Sequence, residues 1–120
     1  MDLQPPIIYL ENKDIDEAGN IILPADIPPN IAIILFIQTS WCSHCAKAKP
    51  FFQEFARKHN GRVLFTTIQA DEQPALEQRI KLIDPSFRGY PDYVLYKHGT
   101  RVQKQINPSR DVIALEEFIR

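Results

Sequence analysis

The 120-residue sequence has few cysteines, little net charge and no long apolar stretch. Its two cysteines are separated by two residues, and a structural disulfide that close would constrain the unfolded chain little. A formal net charge of −1 argues against a general nucleic-acid binder, which carries a basic surplus. The longest apolar run, Ile31 to Ile37, is far shorter than the roughly 20 residues that span a membrane. We therefore expect no nucleic acid and no membrane among its partners.

Targeting signals are also missing from the ends of the sequence. A secretory signal peptide has a basic start and an apolar core, whereas here Asp2, Pro5 and Pro6 interrupt the first residues. The last residues, Glu117 to Arg120, form no endoplasmic-reticulum retention signal. These observations favour a cytoplasmic, reducing location. There, two close cysteines are more often catalytic or metal-binding than structural.

The composition that remains is typical of one globular domain over residues 1–120. The chain is 44% hydrophobic and 24% charged, as in ordinary soluble proteins. It contains ten prolines, six of them in the first 50 residues, so the sequence predicts a loop-rich N-terminal part.

The hydrophobic pattern predicts alternating strands and helices. The run Ile31 to Ile37 is continuous, which is typical of a central parallel strand that is buried on both faces. The other predicted elements are a strand at Ile7–Leu10, an extended piece at Ile21–Leu23, helices at Ala46–Asn60 and Pro74–Ile83, a strand at Arg62–Gln69, a hairpin of Tyr93–Tyr96 with Arg101–Ile106, and a final helix capped by Ser109. This order predicts an α/β fold with a mixed central sheet flanked by helices.

Apolar spacing indicates which faces of the two main helices are buried. Phe51, Phe52, Phe55 and Ala56 are predicted to form a core face of the first helix, and Pro50 is expected to kink that helix. In the second helix the core positions are predicted to be Leu76, Ile80 and Ile83.

The two cysteines lie where the predicted central strand gives way to a helix, a common place for functional sites in α/β sheets. At a helix N-terminus, Cys42 would be favoured as a thiolate by unpaired N–H groups and the helix dipole. Cys45 lies one turn further and can close a disulfide with it. His44 would stabilise the Cys42 thiolate, which makes the disulfide a better oxidant. Trp41 adds a flat apolar surface.

The segment Trp41-Cys42-Ser43-His44-Cys45 resembles the active site of thioredoxin and protein disulfide isomerase. Three further features are similar to this family: Pro50 in the first helix, Asp71-Glu72-Gln73-Pro74 after the next strand, and Arg88-Gly89-Tyr90-Pro91 before the hairpin. The resemblance covers residues 31–120 as a core, whereas residues 1–30 form a divergent N-terminal part. It implies a thioredoxin-like fold.

The resemblance also implies roles for the site residues. Cys42 would be the attacking nucleophile and Cys45 the resolving thiol, tuned by Ser43, His44 and Trp41. Substrate would be bound by Trp41, Tyr90, Pro91 and Asp92, with Pro91 in the cis form. The substrates would be proteins with thiols or disulfides, and a redox partner such as thioredoxin reductase would recycle the protein. The protein itself would be a monomer that needs no cofactor or metal. His44 adds an expected bias towards oxidase or isomerase activity, with a thioredoxin-type reductase as the alternative.

Four positions depart from the family pattern. A buried acid commonly lies at the position of Phe36, and a lysine that pairs with it at the position of Thr67. Asp92 stands where a small or hydroxylated residue is usual, and it could repel the thiolate and offset part of the His44 effect. Asn107 replaces a glycine in a late loop.

Other interpretations of the same residues stay open. Cys42, Cys45 and His44 could bind zinc or copper(I), although they supply only part of a four-ligand site. The cysteines could be two small buried apolar residues, or the fold could serve as a non-catalytic binding module. The less specific interpretations are that His44 is a solvated residue at the helix start, that Asp92 faces solvent and that Pro91 is an ordinary trans proline. His59 is expected to be a cation near a helix C-terminus, and His98 a residue of the hairpin turn.

Overall fold

The structure, a computed structural model, describes residues 2–28, 30–97, 104–106 and 114–119. The strands are β1 (Ile8–Tyr9), β2 (Ala32–Gln38), β3 (Val63–Gln69), β4 (Asp92–Tyr96) and β5 (Lys104–Ile106). The helices are α1 (Ser43–Lys58), α2 (Pro74–Ile83) and α3 (Leu115–Phe118), with short 3₁₀ turns at Asn12–Asp14 and Ala70–Glu72.

The five strands form one mixed sheet in the order β1-β3-β2-β4-β5. Strand β2 lies at its centre, parallel to β3 and antiparallel to β4. This arrangement confirms the predicted central strand and the predicted α/β fold with a mixed sheet. Since β2 has a neighbour on each side, its backbone groups are paired within the sheet, and its carboxyl end points at the start of α1.

Both faces of β2 are buried, as its continuous apolar run predicts. Ile34 and Phe36 face α1 and join a cluster that includes both cysteines and Phe52. Ile33, Leu35 and Ile37 point to the opposite face, where they pack with residues of α2. Alternate residues of a strand point to opposite faces, so an apolar side chain at every position fills two cores.

Helix α1 begins three residues earlier than predicted and ends two residues earlier. Its buried side chains are spaced by three or four residues, at Cys45, Ala48, Phe52 and Ala56. Phe51 was predicted to belong to this core face, and that prediction is wrong, because its side chain is 60% exposed. Consecutive helical residues are about 100° apart, so Phe51 points away from the sheet when Phe52 points into it.

The residues that precede β2, which we call the N-terminal segment (residues 2–28), contribute to both cores. Leu3 and Ile7 join the cluster below α1. Leu10, Ile15 and Ile21 join the cluster on the other face, after β1 has paired in parallel with β3. The predicted strand at Ile7–Leu10 is therefore confirmed in shorter form. The extended piece predicted at Ile21–Leu23 is only a single bridge between Ile15 and Ile21.

Side-chain hydrogen bonds hold the N-terminal segment against the sheet and α2. The guanidinium of Arg79 donates to the backbone oxygen of Asn12 at 3.0 Å. The hydroxyl of Tyr96 donates to the backbone oxygen of Gly19 at 2.8 Å. Gly19 has a φ of +80°, and a Cβ atom there would lie 2.3 Å from the carbonyl oxygen of Leu82. The turn thus packs against the end of α2 at a distance that only glycine allows.

The second half of the chain follows the predicted order. Helix α2 has the predicted bounds, and Leu76, Ile80 and Ile83 are all buried. Strands β4 and β5 pair antiparallel, as the predicted hairpin requires. The remaining predictions for this region concern His98, Asn107, Ser109 and the start of the final helix, and these lie outside the described residues. Within those residues, no helix is long and apolar enough to cross a membrane.

Candidate functional site

Cys42 lies at the N-cap position of α1, directly after the chain leaves β2. Its backbone is extended, with φ −84° and ψ 114°, and its sulfur accepts a hydrogen bond from the backbone N–H of Cys45 at 3.1 Å. The first N–H groups of a helix have no partner within the helix, and the positive end of the helix dipole lies there. The sulfur of Cys42 therefore lies at the positive end of the α1 dipole, in contact with a backbone N–H group of the first turn.

The two cysteines differ in their access to solvent. Both are free thiols, but Cys42 is 7% exposed whereas Cys45 is completely buried. Burial, followed by a hydrogen bond with Cys42, raises the pKa of Cys45 to about 12. A hydrogen bond with the backbone of Thr39 acts in the opposite direction and is too weak to restore the ordinary value. Cys42 can therefore meet an external sulfur, whereas Cys45 can meet only Cys42.

Aromatic rings border the cysteines on the solvent side. Trp41 is 71% exposed, and its ring meets the edge of Tyr90 at a centroid distance of 5.6 Å. Tyr90 packs in turn against Phe87 at 5.0 Å. Partial burial, followed by the negative charges of Glu77 and Asp71, raises the pKa of Tyr90. The structure thus brings the predicted substrate-binding residues Trp41 and Tyr90 together in one surface.

The loop that ends at Pro91 lies beside this surface. The Tyr90–Pro91 peptide bond is cis, and Pro91 is buried at the start of β4. Tyr90 packs against the cluster that contains Cys42 and Cys45. The loop and the cysteines, which are far apart in the sequence, are therefore neighbours in the fold.

Ser43 and His44 occupy the first turn of α1, and both are exposed. A solvated position at a helix start is the less specific interpretation of His44, and the exposure agrees with it. It also leaves the imidazole free to approach a sulfur atom attached to Cys42, so its effect on the redox pair stays a prediction.

Asp92 is placed differently from the solvent-facing interpretation. Its side chain is only 5% exposed, so that interpretation is wrong. Asp92 lies opposite Ile37 in the ladder between β2 and β4, which puts it on the α2 face of the sheet. The cysteines belong to the α1 face. Substrate contact by Asp92 and repulsion of the thiolate therefore stay predictions, and any repulsion must act across the sheet.

The two positions where the family commonly has an acid and a lysine are occupied by the neutral residues Phe36 and Thr67. Phe36 packs against the rings of Phe52 and Tyr93, at centroid distances of 4.9 and 5.1 Å. The hydroxyl of Thr67 donates to the backbone oxygen of Phe36 at 2.7 Å and accepts from the amide of Gln38 at 3.0 Å. The strand side of the site therefore places no charge at these two positions.

Sequence reasoning missed two features next to the cysteines. The carboxylate of Asp71 accepts hydrogen bonds from the backbone N–H of Ser40, at 3.0 Å, and from its hydroxyl, which ties the approach to Cys42 to the turn after β3. Slight burial raises the pKa of Asp71, but these hydrogen bonds outweigh it and lower the value. The second feature is Lys49, which forms an ion pair with Asp2 at 3.2 Å. Lys49 lies four residues after Cys45 in the sequence, and this spacing could have indicated that the two side chains are neighbours on α1.

The metal-binding interpretation finds no ligand set in the described part of the chain. No group of three or more histidine, cysteine, aspartate or glutamate side chains there could hold an ion. The two cysteines by themselves supply half of the four ligands that a structural zinc normally takes.

Comparison with known proteins identifies the family. The family model described as Thioredoxin matches residues 25–120, which is most of the chain. The chain belongs to the thioredoxin family. Protein 453L of Invertebrate iridescent virus 6, described as thioredoxin-like, is 34% identical over 131 residues, covering 97% of this chain and 94% of that protein. The predicted resemblance of the chain to the thioredoxin-like family is thereby confirmed.

Two further comparisons extend this finding. The thioredoxin domain-containing protein 5 homolog of Drosophila melanogaster is 30% identical over 94 residues, covering 78% of this chain and 22% of that protein. The crystal structure of the J-Trx1 fragment of ERdj5 superimposes with a TM-score of 0.69 at 21% identity, covering 96% of this chain and 50% of that one. At that identity the likeness shows the fold alone. Thioredoxin family membership and two adjacent free thiols support a thiol–disulfide oxidoreductase in general.

Proposed function

We propose that the protein exchanges disulfides with protein substrates, using Cys42 as the attacking nucleophile and Cys45 as the resolving thiol. The observation that carries this proposal is the asymmetry of the pair. Cys42 is at the edge of the surface and caps the helix, whereas Cys45 is fully buried with a raised pKa. A nucleophile must be ionised and accessible, and a resolving thiol need reach only its neighbour.

The proposed reaction has two displacement steps. The Cys42 thiolate attacks one sulfur of a substrate disulfide, so a Cys42–substrate disulfide forms and the other substrate sulfur leaves as a thiolate. Cys45 then loses its proton to solvent and attacks Cys42, which releases the second substrate thiolate and leaves a Cys42–Cys45 disulfide. Two electrons pass from the protein to the substrate, and the reverse sequence oxidises a dithiol substrate.

The direction that we propose is oxidation or isomerisation, because of His44. A charged or donating imidazole stabilises the reduced, thiolate form of Cys42 and so raises the reduction potential of the pair. The exposed first turn of α1 leaves the ring able to do this. The alternative is a thioredoxin-type reductase, in which the same two steps run with a lower potential.

Substrate would lie over the aromatic surface of Trp41 and Tyr90. The exposure of Trp41 and its edge contact with Tyr90 support this placement. The backbone beside Pro91 would pair with an extended substrate segment, which would bring a substrate sulfur to Cys42. Protein thiols and disulfides are therefore the proposed substrate class.

Two cysteine variants test the proposed roles. Cys42→Ser is expected to abolish reduction of a protein disulfide such as that of insulin, because the attacking sulfur is lost. Cys45→Ser is expected to accumulate mixed disulfides that are visible on non-reducing gels. Turnover by Cys42→Ser, or the same trapped complexes with either variant, would overturn the assignment.

Equilibration in glutathione buffers tests the direction. A reduction potential near about −180 mV or higher supports an oxidase or isomerase, and one near about −270 mV supports a reductase. His44→Pro is expected to lower the potential, since the imidazole is lost. An unchanged potential would show that the ring has no part in the bias. Failure of the thiols to form an intramolecular disulfide would favour a binding module.

A further inference from the structure

The N-terminal segment brings a carboxylate to the helix that carries the cysteines. Asp2 accepts from the ammonium of Lys49 at 3.2 Å and from the hydroxyl of Tyr9 at 3.3 Å. That hydroxyl accepts in turn from the backbone N–H of Leu3 at 3.0 Å. Contacts with Lys49 and Tyr9, the latter in a sheet strand, therefore hold the carboxylate against α1.

Lys49 lies on the same side of α1 as Cys45. The two residues are four positions apart, which places them about 40° apart around the helix axis. Helical side chains lean towards the N-terminus, so the stem of Lys49 extends back over the turn that contains Cys45. The side chain of Lys49 is only 14% exposed. A cation on such a long stem is normally well solvated, so this degree of burial is unusual.

The charge of Lys49 acts on a thiol that otherwise resists ionisation. Burial is the main cause of the high pKa of Cys45, and the positive charge of Lys49 opposes it. On the strand side, Phe36 and Thr67 offer no charge that could do the same. The helix side is therefore where this chain places a cation near the buried sulfur.

We propose that Lys49 supplies the positive charge that lets Cys45 ionise for the resolving step, and that Asp2 partly balances that charge. The proposal rests on the proposed function, because only an oxidoreductase needs Cys45 as a nucleophile. Asp2 touches no reacting atom and acts only by moderating the charge of Lys49. The N-terminal segment thereby takes part in the chemistry of a site that lies forty residues further along the chain.

The proton balance of the step is simple. The Cys45 thiol gives its proton to a solvent base, and its thiolate attacks the sulfur of Cys42. The bond from Cys42 to the substrate sulfur breaks, and the substrate leaves as a thiolate. Lys49 takes no part in the proton transfer and stabilises the negative charge on Cys45. A groove of about 340 Å³ beside Lys49, Asp2 and Gln53 gives solvent access to this side of α1.

Several other titratable or charged groups surround the pair. Cys42 and Tyr90 interact electrostatically with Cys45. Tyr9 bonds to Asp2, and Arg57 lines the same groove as Lys49. Cys42 and Tyr90 carry negative charge only when ionised, in which state they disfavour a second anion at Cys45. Arg57 is a second cation on the same groove, but it lies twelve residues beyond Cys45, more than three helical turns away.

A single reaction with an aromatic disulfide separates the two chemical steps. When the reduced full-length protein is mixed with excess 5,5′-dithiobis(2-nitrobenzoic acid), attack by Cys42 releases one coloured thiolate. Resolution by Cys45 releases a second one in a later phase. Stopped-flow recording of both phases from pH 6 to pH 10 gives a pH profile for each step.

The variants differ in charge but little in size. Lys49→Met keeps the apolar stem and is expected to slow the second phase about tenfold near pH 7, moving its pH profile about one unit higher. Lys49→Arg is expected to restore the second phase to within about threefold of the parent. Arg57→Met removes a cation from the same groove and is expected to leave both phases unchanged.

Asp2→Asn distinguishes a role in ionisation from a role in structure. It frees Lys49 from its balancing anion, so the second phase is expected to become faster, or at least not slower. If the ion pair only fastened the N-terminal segment to α1, Asp2→Asn and Lys49→Met would both slow the second phase. Gln53→Ala, which removes the uncharged fastening between Gln53 and Gln4, gives the size of any such effect.

The outcomes separate this proposal from the proposed function. Two phases in the parent with a second phase in Lys49→Met within twofold of it would overturn the role of Lys49 alone. Slowing of the second phase by Asp2→Asn of about tenfold relative to the parent would overturn it as well, and this outcome can be measured even if Lys49→Met does not fold. Absence of any rapid release from the parent would instead overturn the proposed function.

Discussion

The contact between Gly19 and the end of α2 allows a quantitative test of the fold. A Cβ atom at Gly19 would lie 2.3 Å from the carbonyl oxygen of Leu82, at a φ of +80°. Gly61 provides a matched control, because its φ is +90° and a Cβ atom added there would have no neighbouring atom within 4 Å. Both alanine variants meet the same backbone strain, and only Gly19→Ala meets a neighbouring backbone.

The expected magnitudes follow from these two terms. A left-handed conformation costs an alanine about 1–2 kcal/mol, offset by about 0.4–1 kcal/mol from the reduced freedom of the unfolded chain. Gly61→Ala should therefore destabilise the protein by about 1 kcal/mol. Gly19→Ala should cost a further 1–3 kcal/mol or so, since forced contacts in packed regions typically carry that penalty.

Urea unfolding of the three reduced proteins, followed by far-ultraviolet circular dichroism, measures the difference. With a slope of about 1.5 kcal/mol per molar, the midpoint of Gly19→Ala should lie about 0.7–2 M below that of Gly61→Ala. Equal midpoints for the two variants would refute the reasoning, because they would show that the turn at Gly19 has room for a side chain.

Three further predictions concern the core, the sheet and the thiols. Phe52→Ala should lower the free energy of unfolding by about 3–5 kcal/mol, whereas Phe51→Ala should change it by less than about 0.5 kcal/mol. Equal losses in urea unfolding would contradict the exposure of Phe51. Tyr96→Phe removes the hydrogen bond to the turn of the N-terminal segment and should cost about 1–3 kcal/mol in the same assay. Iodoacetamide at pH 8 should alkylate Cys42 and spare Cys45, since the pKa of Cys45 is about 12, and preferential labelling of Cys45 by peptide mass spectrometry would reverse the assigned roles.

The elements with strong local signals were predictable from the sequence. Strand β2 is a continuous apolar run, and its burial on both faces follows from that pattern alone. Helix α2 begins at a proline, which suits the first turn, and its bounds match the prediction. The place of the cysteines at the junction of β2 and α1 was predictable because they lie between that apolar run and the next predicted helix.

The features that the sequence did not predict depend on contacts between distant parts of the chain. Phe51 and Phe52 are equally apolar, and only the docking of α1 on the sheet decides which one is buried. The path of the N-terminal segment depends on bonds such as that from Arg79 to Asn12, which join residues 67 positions apart. The spacing of Lys49 from Cys45 is visible in the sequence, but its ion pair with Asp2 joins residues 47 positions apart.

The length of the outer strand β1 affects how its edge of the sheet meets other molecules. Strand β1 has two residues and lies at one edge of the described sheet. An edge strand exposes backbone N–H and C=O groups that can template pairing with another chain, and very short edges offer few of them. The seven-residue strands β2 and β3, which would be effective templates, lie inside. On the β1 side, the order of the strands therefore limits edge-to-edge pairing with other chains.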